Sequence, residues 1–490
     1  MRLVSRLLPV LLVGGVIAAL TWAGAAWNAS RVPERYGLMD FGALDLGGGP
    51  PVGHAGHDHG LSVAELREPA SGPPDVRLTL VAQHAQLRLP SGKTVSALTF
   101  NGTVPGPEIR VRLGQLVEVT LVNQDIKEGV SIHWHGLDVP NAEDGVAGLT
   151  QDAVPVGGRY VYRFRANQTG TYWYHSHQHS LEEVKRGLYG AFVVTAGPEQ
   201  TDALDLTLIA HRLPGASLLG ASDIVEQAKV APGTQVRLRL VNSDNTTRRF
   251  ALAGTAFQVV AIDGGDVYRP AQVRDLSLAI AAGGRYDVSF TMPQAPVSLG
   301  LRGGRLGLAL SRDGKAPLSE VDFGPSLDPA DYGASPAGGI APGARFARSF
   351  SIDIGRRLGF FAGGFRLGRQ WTLNGRTYPR MPMLAVERGE LVKISFRNHS
   401  GADHPMHLHG HHMLVIARDG RPVRTPWLVD TLDLRPGDNY EVAFRAVNPG
   451  LWMLHCHDLE HAAHGLMTHL VYPDIWTPFM VGEDTPNTPE

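Results

Sequence analysis

One ten-residue pattern occurs three times along the 490-residue chain, and it constrains the fold more than any other feature. Gly114-Gln-Leu-Val-Glu-Val-Thr-Leu-Val-Asn123 returns as Gly233-Thr-Gln-Val-Arg-Leu-Arg-Leu-Val-Asn242 and again as Gly389-Glu-Leu-Val-Lys-Ile-Ser-Phe-Arg-Asn398. Each copy alternates apolar and polar residues, the period of a strand with one buried face. A second element follows each copy: Gly157-Gly-Arg-Tyr-Val-Tyr-Arg-Phe, Gly283-Gly-Arg-Tyr-Asp-Val-Ser-Phe and Gly437-Asp-Asn-Tyr-Glu-Val-Ala-Phe. Two elements recurring in one order at three places define a repeated β unit. The economical reading is an all-β chain of three Greek-key sandwich domains, at about 74–197, 201–325 and 341–475.

Such domains must be held by their own cores, because a chain with one cysteine, Cys456, has no intrachain disulfide framework. A formal net charge of −2 gives no electrostatic reason to expect nucleic acid as a partner. Arg2 and Arg6 precede an uncharged run from Leu7 to Ser30, and Ala23-Gly24-Ala25 offers a small-x-small cleavage site. Residues 1–30 therefore read as a signal peptide or, since about 20 apolar residues span a bilayer, as a membrane anchor. Either places the body outside the cytoplasm: periplasmic, secreted or anchored to the outer face of the membrane. Residues 31–73 read as a Gly/Pro/His-rich linker, in which His54, His57 and His59 form a short tract suited to loose copper capture or to none.

The chemistry is carried by histidines. Four short segments hold them in pairs: His133-Trp-His135, His175-Ser-His177, His407-Leu-His409 and His455-Cys-His457. Two lie in the first repeat and two in the third; the middle repeat has only His211. Matching positions in two homologous repeats point to one metal site at a domain interface. Eight histidines suit three coppers, two on one ion and three on each of the others. His404, Cys456 and His461 remain, a two-imidazole, one-thiolate set for a separate copper. Structural zinc uses closed tetrahedra of four ligands and has no use for this inventory. If the segment entering Cys456 is a strand, His455 and His457 face one way and Cys456 the other, so two metal sites sit back to back.

On these motifs the chain from about Pro74 to Pro473 resembles the multicopper oxidases, the laccase-like family. The resemblance implies three cupredoxin-like domains and four copper ions. It assigns His404, Cys456 and His461 to the type 1 copper and His133 and His407 to type 2. His135, His175, His177, His409, His455 and His457 go to the type 3 pair. It implies an oxidase that takes single electrons from a small reducing substrate and reduces O₂ to water. Asp144 sits where the family keeps a proton-delivering aspartate; the alternative is a turn residue before Gly145. Many bacterial relatives carry a second acid directly after the position of His461, where this chain has Ala462; Glu460 and His464 are the nearest substitutes. The axial position of the type 1 site falls on Leu466, which cannot coordinate, with Met467 one residue away as competitor.

Phenols or aromatic amines are the expected reductants. A cuprous oxidase in copper tolerance is the alternative; thioethers suit Cu(I), and Met381, Met383, Met406, Met413 and Met453 lie near the copper motifs in sequence. Against the cuprous reading stands the absence of a Met-rich insertion, and those methionines also read as core packing. A copper-binding cupredoxin scaffold without activity is the reading from another class. With first-type and third-type domains in one chain, a monomer is expected to suffice.

Overall fold

The computed structural model describes residues 4–38, 43–52, 60–68, 72–197, 203–335, 340, 344–360 and 367–489. The chain is nearly all β and forms three two-sheet layers of sheet on sheet. The first pairs two four-stranded sheets between Val76 and Thr195. The second pairs a six-stranded and a five-stranded sheet between Ala203 and Ser311. The third pairs two six-stranded sheets, nearly all of whose strands lie between Arg348 and Val471.

The repeated sequence elements are sheet neighbours in every copy. Leu116–Asn123 pairs antiparallel with Arg159–Arg165, Gln235–Asn242 with Arg285–Thr291, and Leu391–Asn398 with Asn439–Arg445. Each also runs parallel to the first strand of its unit. The closing asparagine has one job throughout. Fully buried, Asn123 Nδ2 donates to Ile126 O and Val154 O, Asn242 Nδ2 to Thr246 O and Ile280 O, and Asn398 Nδ2 to Ala402 O and Leu434 O. A side-chain amide supplies two donors at a point where the ladder cannot, so the turn closes without orphaned carbonyls.

The segment read as a linker departs from that reading where it is described. Arg35–Tyr36 pairs with Val481–Gly482, Leu44–Asp45 adds an edge to a sheet of the third unit beside Met383–Ala385, and Leu61–Ser62 pairs with Ile475–Trp476. It is a strap along the third unit rather than a tether. Two-residue pairings are made by backbone groups, which leave no side-chain periodicity to read. His54, His57 and His59 lie outside the described residues.

The N-terminal helix, Val4–Ser30, contains a 20-residue window of mean hydropathy 1.5, long and apolar enough to cross a membrane. Its last turn touches the hairpin of Arg348–Phe360 and Leu367–Leu373: Arg357 Nη2 donates to Ala29 O (3.1 Å) and Phe360 N to Ser30 Oγ (3.2 Å).

Candidate metal centre

Strand Leu451–Cys456 lies beside His404–Leu408, with Met406 opposite Cys456 and His407 opposite His455. Directly opposed residues share a face. His404, Met406 and Cys456 therefore point one way, and His407 and His455 the other. Asp458 caps the short helix Leu459–Ala463, accepting from Glu460 N, and the helix carries His461 back over the cysteine. Cys456 Sγ is 3.6 Å from His404 Nδ1 and 3.7 Å from His461 Nδ1. The loop closes as Leu466 N donates to His461 O and Cys456 N to Leu466 O, both at 3.1 Å, with Leu466 fully buried. Met467 is paired with His455 and so shares the opposite face from Cys456.

The eight paired histidines converge on that opposite face, all essentially buried. Two trios form, His135–His175–His457 and His177–His409–His455, each mixing the first and third units; a further group joins His133 and His407 with His135. Hydrogen bonds fix which nitrogen faces inward. Nδ1 of His133, His175, His407 and His455 meets the carbonyl oxygen of Asp144, Ser176, Asp430 and Cys456, and Nδ1 of His409 meets the Asp144 carboxylate. Carbonyls and carboxylates only accept, so Nδ1 holds the proton in these rings and Nε2 keeps its lone pair. His135 is reversed: Nε2 lies 3.1 Å from Asp430 Oδ1 and 3.1 Å from Thr431 Oγ1, leaving Nδ1 to face inward.

This arrangement fits metal ions. His133 Nε2 and His407 Nε2 are 3.4 Å apart, and His409 Nε2 and His455 Nε2 are 3.1 Å apart. Lone pairs that close repel unless a cation lies within reach of both. His135 Nδ1, His175 Nε2 and both ring nitrogens of His457 are buried with no hydrogen-bond partner among the described residues, a cost that ligation removes. Burial first, then neighbouring imidazoles, hold His135, His175, His177, His409, His455 and His457 well below the usual histidine pKa. They are neutral, the form a metal takes.

The surrounding shell was only partly visible in the sequence. Asp144 was, and its carboxylate reaches His409 Nδ1 (3.0 Å) and His133 Nδ1 (3.1 Å). It also stands at a turn, since a Cβ at Gly145 would lie 1.7 Å from Ile132 O. Asp430, Thr431 and Arg285 were not anticipated. Arg285, from the middle unit, is fully buried and grips Asp430 with two bonds of 2.7 and 2.6 Å. Burial alone would raise the Asp430 carboxyl, but Arg285 and His135 hold it well below the carboxylate range. Glu183 was missed as well. It is only 2% exposed, on a helix that packs against Leu459–Ala463. Burial pushes its pKa well up. Ala462 is buried, whereas Glu460 and His464 are exposed.

The middle unit also approaches the cluster through Gly283. Its φ is +84°, and a Cβ there would stand 2.9 Å from His457 Cγ and 3.0 Å from His135 Cε1. Gly283→Ala is therefore expected to displace His135 and His457 and to cost copper at the histidine cluster while sparing the cysteine site. Metal analysis beside the visible spectrum checks this; full copper content in the variant would refute it.

A thiolate with two imidazoles, backed by an eight-imidazole cluster, is a donor set for copper. Comparison with known proteins gives the family. Models described as multicopper oxidase match residues 359–474, 82–199 and 205–298. The chain is 29% identical to the multicopper oxidase MmcO of Mycobacterium tuberculosis over 92% of its own length and 99% of that protein's. It is 28% identical to laccase-2 of Botryotinia fuckeliana, covering 78% of this chain and 79% of that one. The crystal structure of a multicopper oxidase from Pseudomonas thermotolerans superposes with TM-score 0.65 at 27% identity, over 82% of this chain and 100% of that one. The chain belongs to the multicopper oxidase family. Its cofactors are four copper ions, one of type 1, one of type 2 and a type 3 pair, and it couples oxidation of a reducing substrate to reduction of O₂.

Proposed function

We propose that the chain is a laccase-like oxidase of phenols or aromatic amines. His404, Cys456 and His461 hold the type 1 copper. His133 and His407 hold type 2, and the trios His135–His175–His457 and His177–His409–His455 hold one type 3 copper each. Bound there, copper would supply one-electron chemistry at the thiolate site and the reduction of O₂ at the histidine cluster. The observation that carries the reading is the division of six histidines into two trios beside a facing pair. Asp144 fixes the Nδ1 protons of His409 and His133 and is the carboxylate placed to move protons at the cluster. Burial excludes bulk water from all eight rings.

Laccases among the relatives support phenolic or amine reductants. Met381, Met383, Met406, Met413 and Met453 are all buried in the core and offer no exposed thioether to Cu(I). Both halves of the cluster come from one chain, which supports activity as a monomer; sedimentation under assay conditions checks it. The apolar helix supports an extracytoplasmic enzyme, with domains at about 74–197, 201–325 and 341–475. Steady-state kinetics on a phenol, an aromatic diamine and Cu(I), after copper analysis, test the whole. Preference for Cu(I) would replace this reading with the cuprous one, and a copper-loaded protein inert to all three would leave only the scaffold.

Leu466, buried beside Cys456, would add no donor atom to a copper held by His404, Cys456 and His461, which would disfavour the more highly charged oxidised ion and raise its potential. Leu466→Met is expected to lower that potential clearly in a redox titration of the blue band, and Met467→Leu to leave it nearly unchanged. The reverse pattern would make Met467, and not Leu466, the residue that tunes the site.

A further inference from the structure

The outer edge of the Cys456 site is closed by a ring that takes no part in holding metal. His404 is fully buried and the His461 side chain is only 14% exposed, so neither imidazole offers a face broad enough for an aromatic substrate. Trp371 lies over both: its ring centroid is 4.3 Å from that of His461 and 4.9 Å from that of His404. It is half-buried, standing between these rings and solvent. Its strand, Leu367–Leu373, pairs with Arg348–Phe360 so that Arg356 is directly opposite Trp371, and the two side chains share a face. The exposed Arg356 guanidinium lies 4.3 Å from the Trp371 ring centroid. Among the described residues it makes no ion pair. Its charge reaches both His404 and His461.

We infer that the reducing substrate docks on Trp371 and Arg356, that its electron enters through the Trp371 ring to His461, and that the favoured substrate is an aromatic ring bearing negative charge, a phenolate or a phenol carboxylate. The inference rests on the reading of His404, Cys456 and His461 as the electron-accepting site. The guanidinium lies over the indole, so the pair presents a planar cation, backed by the ring, to a carboxylate or phenolate. Acid also borders the site: Asp458 Oδ2 is 3.6 Å from His461 Nε2, and Glu460 is exposed on the same helix. These acids flank His461, whereas Arg356 lies over the Trp371 ring and is the charge that a docking substrate meets there. In the step itself a phenolate loses one electron and becomes a neutral phenoxyl radical; a phenol also gives its proton to water. Four such events, with four protons, convert one O₂ to two waters.

The test uses the full copper-loaded chain, with syringate as the anionic phenol and protonated N,N-dimethyl-p-phenylenediamine as the cation. Arg356→Glu is expected to lower kcat/KM for syringate by about tenfold or more, mainly through KM, and to raise it for the diamine, with the blue band unchanged. Trp371→Leu should lower kcat/KM for both by about tenfold. Redox-inert 4-methoxybenzoate should quench tryptophan fluorescence in the parent and bind at least about tenfold more weakly to Arg356→Glu. Should either variant fail to fold, the parent decides alone: raising salt must lower kcat/KM for syringate and raise it for the diamine. An unchanged ratio of the two substrates in Arg356→Glu, full syringate activity in Trp371→Leu, or salt effects of one sign would overturn the inference while the copper assignment stands. A parent without a blue band would overturn both.

Discussion

Cys456→Ser is expected to abolish both the blue band and oxidase turnover while the histidine cluster keeps its copper. Cys456 supplies the one thiolate of the site, and a serine hydroxyl is a hard donor that does not replace it. The side chain is fully buried on the face that carries His404, so the exchange leaves the other face untouched. His455 keeps its Nδ1 bond to the backbone oxygen of residue 456, which does not depend on the side chain, and its pairing with His407. Folding should be affected modestly. The new hydroxyl can bond His404 or His461, whose nitrogens are 3.6 and 3.7 Å from the sulfur, and so escapes most of the cost of a buried unpaired polar group, about 1–3 kcal/mol. Metal analysis should find about three coppers where the parent has four, the stoichiometry of a protein that has lost one of two separable sites. A blue, active variant would remove Cys456 from the electron path. Loss of all copper would instead mean that the two faces of the strand do not bind independently.

The grouping of the paired histidines on one face of the strand and of Cys456 on the other was legible in the sequence because strand alternation is a local rule. A His-Cys-His tripeptide on a strand must send its cysteine one way and its histidines the other, and the repeat told which distant segments would meet it. The supporting shell obeys no local rule. The motif Gly-Gly-Arg-Tyr occurs at Gly157 and at Gly283 with the same pattern, yet Arg159 is exposed and Arg285 is fully buried against Asp430. Only the packing of the middle unit on its neighbours separates them. The orientation of His135 is of the same kind, set by Asp430 and Thr431 nearly 300 positions along the chain. Trp371 and Arg356 belong to no motif; only the pairing of their strands beside His461 brings them together. Arg35–Tyr36, Leu44–Asp45 and Leu61–Ser62 fall in a stretch read as a linker because backbone pairing leaves no mark in composition. The lack of an acid at Ala462 was legible as a departure; the buried Glu183 on the neighbouring helix was not, since Leu181-Glu-Glu-Val looks like ordinary helix surface.

Removing Arg285 is expected to damage the folded protein more than any surface change, although Arg285 touches no metal. Its guanidinium joins the three units. Nη1 and Nη2 hold Asp430 of the third, Nε donates to Thr171 O of the first (3.0 Å), and its own backbone N is held by Asp263 Oδ1 (2.9 Å). Taking one partner from a buried ion pair strands the other, at a cost of about 3–5 kcal/mol. Arg285→Met should therefore lose about that much stability in denaturant unfolding of the copper-free protein. The loss should depend on pH with a definite sign. Asp430 in the parent is held well below the ordinary carboxylate range, so its contribution is present above the unfolded value, about 3.9, and is lost as pH falls through the lower folded value. In the variant that carboxylate is stranded and takes up a proton, so the deficit against the parent should be largest near neutral pH and shrink in acid. A protonated Asp430 is also a poorer acceptor for His135 Nε2, so copper at the cluster should weaken with it. Arg285→Met with Asp430→Asn removes the nearer of the two carboxylates that Arg285 faces, Asp263 Oδ1 being 3.5 Å from Nη1, and should recover much of the lost stability. If the single variant unfolds within about 0.5 kcal/mol of the parent, the pair is not what joins the three units. If the double variant is no better than the single, the damage comes from lost packing around Tyr172 and Thr171 rather than from an unpaired carboxylate.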